Sequence, residues 1–424
     1  MTFNDQLSDA LGMTEVDADA YYLEQELEND QHLSEQFIAS FEQLERVSMV
    51  LGDAAIAMES FDDRKLVSAQ VLGTIASHGA PDLYERLLGA DYTVSMEKLG
   101  GFLTELYERI KKAIKFILAA AVEFWKKATD MSTYVMLEAR YVKRQSENRL
   151  GRNSAKSVFT AGREINRLVR GKHFPVSGEE VLAGVLEVKR QLRVLYKDYA
   201  DTVSTTGDAL MIAAGKTDLG AFEYLENMIA AGKTLELGKV AAQLRTKTHQ
   251  DSRFGKGEVV AAPNLPGGKN LFVRIDPKPY RQNPGLLSVA ESARTAGVSL
   301  DWTDNQLLPQ LENHVMNVFG SNVVIQICQS VYSIAALINS SHDTMQRKLV
   351  SKGKQLSDKF DQAGAKLEAS SHTSTDEELY RSAYLYSLTY ARWATSPIDA
   401  YSTHALRVCR AALRVCRRSL AQMG

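Results

Sequence analysis

Four groups of residues in this chain are of a kind that does chemistry: two Gly-Lys-Thr triplets, eight histidines, three cysteines and a dense run of lysine and arginine. The triplets close a repeat, Met-Ile-Ala-Ala-Gly-Lys-Thr, at 211–217 and 228–234. A phosphate loop needs a further glycine five residues before Gly-Lys, so that the backbone can wrap the anion. Leu210 and Asn227 stand there, and no strand is predicted ahead of either copy. The repeat reads instead as two helix ends, at Gly215 and Gly232, glycines able to adopt positive φ, with a new helix starting near each threonine.

The histidines are scattered, with none at zinc-site spacing to another histidine, cysteine or carboxylate. Cys409 and Cys416 lie two helical turns apart without a local third ligand, and Cys328 stands alone. They are predicted to pack in the core as small hydrophobes, and their odd number fits a reducing compartment. Nucleophile elbow, kinase signature and dinucleotide fingerprint are all missing from the sequence. The expectation is therefore a chain with no catalytic, cofactor-binding or metal-ligating residues, and not an enzyme. The alternative is an unrecognised enzyme with its site in the segment 247–300.

The basic run is the more informative group. Arg140, Lys143, Arg144, Arg149, Arg152, Lys156, Arg163, Arg167, Arg170 and Lys172 face only Glu147 and Glu164 within 140–172. Lysine and arginine neutralise phosphates and release counterions, which gives affinity without sequence readout. These ten are candidate nucleic-acid contacts; the plainer reading is a solvated helix face. Nothing resembles a sequence-reading motif, so DNA would be met as a polyanion.

Charge is sorted along the chain. Residues 1–59 hold fourteen acidic side chains and one basic, a net of −13. Residues 98–424 hold 46 basic and 32 acidic groups, a net of +14. Such asymmetry points to an acidic leader beside a body that meets polyanions.

The elements that would carry these groups are mostly helices. Five of nine prolines fall between Pro263 and Pro284, and long stretches elsewhere have none. Proline costs about 3 kcal/mol inside a helix, so the proline-free stretches can be helical. Within the cluster, residues 258–262 and 271–275 flank Pro266-Gly267-Gly268 and predict a hairpin. Leu33, Phe37, Phe41, Leu44 and Val47 give the leader a helical stripe. Phe102, Leu106, Ile110, Ile114, Ile117, Ala121 and Trp125 predict a second amphipathic helix, with lysines off the stripe. It reads as buried packing, or as a membrane-active face. From Val324 to Leu367 the steps of three and four predict a long coiled-coil-like helix, imperfect at His342 and Gly353. Thr375 to Glu378 reads as a capping box opening another helix. Ser396-Pro397-Ile-Asp399 reads as the start of a last one. Its seam is Leu406, Cys409, Leu413, Cys416 and Leu420, with arginines expected at the rim. No apolar run approaches the roughly 20 residues of a spanning helix.

The fold class is accordingly mainly α: an elongated multi-helix bundle with coiled-coil-like C-terminal helices and a β-hairpin excursion near 256–285. The organisation expected is a leader at 1–59, connector helices at 60–97, a basic helical domain at 98–250, the Pro/Gly-rich excursion at 251–300 and a long-helix domain at 301–424.

The acidic helical leader, then Ala57-Met58-Glu59-Ser60 with Phe-Asp-Asp, then the Phe102-to-Trp125 helix and a basic body, resembles the internal head and virion structural proteins of phiKZ-like giant tailed phages. The resemblance rests mainly on the first 130 residues. It implies a propeptide that a prohead protease removes after a small residue, any residue and glutamate. Ala57-Met58-Glu59 and Ser95-Met96-Glu97 fit, so cleavage is expected at Glu59–Ser60 first and Glu97–Lys98 second. Ser40-Phe-Glu42, Ala121-Val-Glu123, Ser177-Gly-Glu179 and Ala221-Phe-Glu223 fit the same pattern, but only the first two matches bracket the charge transition.

The implied location is the inside of the capsid, after host cytoplasm during assembly. The implied partners are the prohead protease, other head proteins, genomic DNA without sequence specificity and further copies of the chain, with no transmembrane segment. A leader of this charge would mask the body until DNA enters. The alternative is an effector ejected with the genome and acting on host membrane or host proteins.

Overall fold

The computed structural model describes residues 96–151, 156–249, 259–275, 277, 285–302, 311–368 and 374–423, with side-chain surroundings in the first helix from Lys112 onward. The acidic leader and its predicted helix lie outside the described residues.

The chain is mainly α, as its periodicity predicts. Met96–Glu147 forms one long helix, α1. Its apolar stripe is buried at Ile114, Ile117, Ala121 and Trp125 and continues through Ala128, Met131, Val135, Ala139 and Val142. Lys112, Lys115 and Lys126 face outward. Gly178–Val194 (α2), a π-helical turn at Leu195–Tyr199 and Ala200–Ala214 (α3) follow one another directly. Ser177 caps α2, its hydroxyl accepting from the Glu180 N–H while the Glu180 carboxylate accepts from the Val176 N–H. Two short helices, Ala221–Gly232 (α4) and Leu237–Leu244 (α5), complete the first half.

The predicted hairpin is present inside a larger sheet. Lys247–Thr248 (β2), Val259–Ala261 (β3), Lys269–Arg274 (β4) and Gly297–Trp302 (β5) pair antiparallel in sequence order, with Leu286–Arg294 (α6) between the last two. Val259 pairs with Arg274 across the hairpin, and Lys269 with Trp302 across β4 and β5. A separate two-stranded sheet joins Val158–Thr160 (β1) to Val315–Asn317 (β6).

Ser321–Met345 (α7), a π-helical turn at Gln346–Val350 and Ser351–Glu368 (α8) form the predicted long helix. Its stripe is buried from Val324 and Cys328 through Leu349, Leu356 and Phe360 to Ala363. The two imperfections bracket the π-helical turn, whose extra residue per turn resets the register. At Gly353 a Cβ would come within 2.8 Å of Leu118, so glycine lets α8 approach α1 there. Over residues 321–363 this helix is long and apolar enough to cross a bilayer by length and composition. Here its stripe packs on α1 and α9.

The last element corrects the expectation of two helices. Ser374–Leu420 is a single helix, α9, with Pro397 inside it. Proline cannot donate to the carbonyl four residues back and normally ends a helix. That carbonyl belongs to Trp393, and the Tyr199 hydroxyl donates to it at 2.8 Å. The indole N–H of Trp393 in turn donates to the Ala296 carbonyl at 2.7 Å. Helix α9 packs against α1, α2, α4, α6, α7, α8 and β5, so it runs through the core.

Candidate functional site

The ten basic candidates fall into two groups. Arg140, Lys143 and Arg144 occupy the last turns of α1, with Arg149 just beyond. Lys156 precedes β1, Arg163 and Arg167 bound a 3-10 turn, and Arg170 and Lys172 follow it. Arg152 lies outside the described residues. Arg140, Arg144, Lys156, Arg163 and Lys172 are exposed, and the other four described are partly buried. Several are engaged locally. The Arg140 guanidinium lies 5.0 Å over the Tyr332 ring and donates to its hydroxyl at 2.7 Å. Lys143 pairs with Glu147 at 3.3 Å and Arg163 with Glu312 at 2.6 Å. Exposed pairs of this kind are worth about 0–1 kcal/mol and leave their cations available to a polyanion.

Both groups are tied to the end of α9. Arg417 reaches the buried carboxylate of Glu138 on α1 at 3.6 Å. Arg414 and Arg418 hold the two oxygens of Glu164, in the 3-10 turn, at 3.4 and 3.3 Å. Gly162 lies against the Arg418 guanidinium, where a Cβ would fall 2.1 Å from Nη1, and its φ of +75° independently favours glycine. The seam of Leu406, Cys409, Leu413, Cys416 and Leu420 is buried as predicted. Of the arginines expected at its rim, Arg418 is exposed and the others are not. Arg410 is 1% exposed and lies 5.7 Å from the Tyr134 ring centroid, and Arg407, Arg414 and Arg417 are half-buried. A heptad alone marks one buried face; α9 has neighbours on several, so its arginines become internal ties. Breaking a buried pair from one side costs about 3–5 kcal/mol, because a charge is left uncompensated.

The Gly-Lys-Thr copies are helix ends. Helix α3 stops before Gly215 and α4 stops at Gly232, with Lys233 as its cap. Neither glycine has positive φ, contrary to the reason the sequence suggested. Gly232 is needed because a Cβ would come within 2.5 Å of the Tyr386 ring. The next helices start at Ala221 and Leu237, capped by Gly220 and Glu236 rather than by the threonines. Lys233 and Thr234 line a groove of about 740 Å³ with Asp198, Asp201, Thr202 and Glu236. Its hydroxyls are committed to backbone: Thr234 donates to Ala231 O at 2.7 Å, and Thr202 accepts from the Glu236 N–H at 2.8 Å.

All three cysteines are buried and unpaired. Burial pushes the Cys328 thiol up to about 12 and raises Cys409 and Cys416 as well. Such thiols are poor nucleophiles. Among the described residues no group of three His, Cys, Asp or Glu side chains is placed to hold a metal ion.

Glu59 and Ser60 lie outside the described residues. Glu97 and Lys98 are in the first turn of α1, which starts six residues before Phe102, the first residue of the stripe. The matching glutamates Glu123, Glu179 and Glu223 lie within α1, α2 and α4.

The sequence pattern missed Glu138 and Glu164 as partners of Arg417, Arg414 and Arg418. Each pair joins residues far apart in sequence, so no local spacing could have grouped them.

Fold and charge together define a helical protein built around one central helix, with its strongest ionic contacts spent on holding its own elements together. A family model described as phiKZ-like phage internal head proteins matches residues 8–418, and the chain belongs to that family. It is a structural component located inside the phage head. No curated protein and no solved structure matches the chain.

Proposed function

We propose that this chain is a non-enzymatic internal head protein made with an acidic propeptide, and that its basic body contacts packaged DNA and other head proteins once the propeptide is removed. The observation that carries this reading is the separation of charge, −13 over residues 1–59 against +14 over 98–424. A body of that sign attracts nucleic acid through long-range potential, and a tethered leader of opposite sign lowers that potential. Exposed Arg140, Arg144, Lys156, Arg163 and Lys172 lie on elements braced by α9, and they supply cations to a phosphate backbone. Cleavage after Glu59 or Glu97 by a prohead protease separates the two charges.

Duplex binding measured by fluorescence anisotropy across a salt series tests the DNA part. The processed chain is expected to bind without sequence preference, with affinity falling steeply as salt rises, and the full-length chain to bind more weakly. Equal binding by both forms at low salt contradicts masking, and absence of binding by the processed form contradicts DNA contact.

A further inference from the structure

The outer side of α7 lacks charge. From Ser321 to His342 the chain holds no Asp, Glu, Lys or Arg. Only 44% of the most apolar stretch of the α7–α8 helix is buried, although a helix with one side in water normally sets charged side chains there. Ile325, Tyr332 and Ala336, at steps of seven and four on one edge of α7, are partly exposed. That edge borders α1, which runs antiparallel to it. The Ser146 hydroxyl donates to Ser321 O at 3.0 Å, the Arg140 guanidinium covers the Tyr332 ring, and Asn339 donates to the Thr133 hydroxyl at 3.0 Å. On the adjoining outer side of α1, Leu137 and Tyr141 stand one turn apart and are 58% and 56% exposed. Arg140 and Arg144, also exposed, lie on the same side of the helix. The two helices present an apolar face with cations along it, and an exposed apolar face marks contact with a partner.

The leader has the complementary pattern. Its sequence predicts a helical stripe of Leu33, Phe37, Phe41, Leu44 and Val47, and helical spacing puts Asp30 and Glu26 on the line of that stripe, one and two turns ahead of it. A helix laid on an apolar face is held by anchors at such steps, and opposite charges fix its placement. Reach is ample. Residues 48–95 join Val47 to Met96, and at up to about 3.3 Å per residue they span far more than the roughly 60 Å along α1 from Met96 to Leu137. We propose that residues 26–47 of the leader dock as an amphipathic helix on the face formed by Leu137, Tyr141 and the Ile325–Ala336 edge of α7, with Glu26 and Asp30 against Arg140 and Arg144. Docking rests on the reading above of residues 1–59 as a masking leader, and it gives that masking a place. The docked leader covers two of the cations offered to DNA, and its removal bares an apolar face together with them.

A photo-crosslinking phenylalanine analogue in place of Tyr141 of the full chain tests this, with denaturing electrophoresis and peptide mass spectrometry after irradiation. The expected product has the mass of a single chain and joins position 141 to residues 26–47. Phe37→Ser/Phe41→Ser, which leaves the body untouched, is expected to cut its yield at least about five-fold. Glu26→Gln/Asp30→Asn is expected to lower the yield at low salt and to change it little at high salt. Absence of a crosslink, a crosslink to another segment of the same chain, or a yield unchanged by the phenylalanine substitutions overturns the docking. So does a product of double-chain mass, which assigns the face to a second copy. DNA binding separates this failure from failure of the masking reading. If the full-length chain binds DNA more weakly than the processed one and no crosslink to residues 26–47 forms, masking by charge stands and the docked leader falls.

Discussion

The hydroxyl of Tyr199, at the end of one π-helical turn, donates to the main-chain carbonyl of Trp393 that Pro397 cannot satisfy. Tyr199 is wholly buried. The proline that should end α9 is therefore carried through the core by a side chain 194 residues earlier in sequence. Tyr199→Phe should destabilise the chain by about 1–3 kcal/mol, the cost of leaving a buried carbonyl unpaired. In a Pro397→Ala background the restored N–H takes over the carbonyl, and the same substitution should cost less. Denaturant melts of the four chains measure this coupling; equal costs in both backgrounds would show that the hydroxyl does not stand in for the missing helix bond.

The seam of α9 gives a second test. Leu413 is fully buried, so Leu413→Ala should cost about 2–5 kcal/mol. A melt indistinguishable from the parent would place the seam on a surface.

These two sites show what could be read from the chain and what could not. The stripes from Ile114 to Trp125 and from Val324 to Ala363 were legible because each helix buries a face against a neighbour, and that leaves steps of three and four. The hairpin was legible from its Pro-Gly-Gly turn. Strand β5 was not, since it is defined by pairing with β4 rather than by its own alternation. Pro397 reads locally as a helix start, and only Tyr199 changes that. Among candidate contacts, the basic run was visible as composition. The ties from Glu138 and Glu164 to the arginines of α9 were not, because each partner lies far away in sequence.

The two repeat glycines should respond in opposite ways. At Gly232 an added Cβ meets the Tyr386 ring, so Gly232→Ala should destabilise by about 1–3 kcal/mol through overpacking. At Gly215 φ is −76° and an added Cβ makes only ordinary contact, so Gly215→Ala should be neutral or stabilise by up to about 1 kcal/mol. Chemical denaturation of both variants checks this. A loss at Gly215 as large as at Gly232 would contradict this difference in packing between the two glycines.

Asp399 gives a pH prediction. The sequence places it near a positive helix end, but α9 runs on past it, and burial raises its carboxyl well above the usual range. The folded state therefore holds a proton that the unfolded chain releases above its ordinary value of 3.8, so this group makes stability fall as pH rises through that value. Asp399→Asn removes the titration. The variant should melt above the parent at pH 7, and the gain should vanish near pH 3. A gain that stays constant across that range would show that the carboxyl does not titrate in this way.

His404 acts with the opposite sense. Its folded value of about 3 lies below the ordinary 6.5, so the stability it carries is complete above 6.5 and is lost as pH falls toward 3. His404→Gln should flatten the acid limb of the melting curve below about pH 6. An unchanged acid limb in a folded variant would contradict the buried, neutral ring.

The central claim is that an acidic propeptide is cut from a basic body. Peptide mapping of the protein from mature phage particles tests it most directly. The account predicts semi-specific N-terminal peptides beginning at Ser60, or at Lys98, and loss of peptides from residues 1–59. Peptides from 1–59 recovered at full stoichiometry with the body would contradict it, and with it the separation of charge by cleavage.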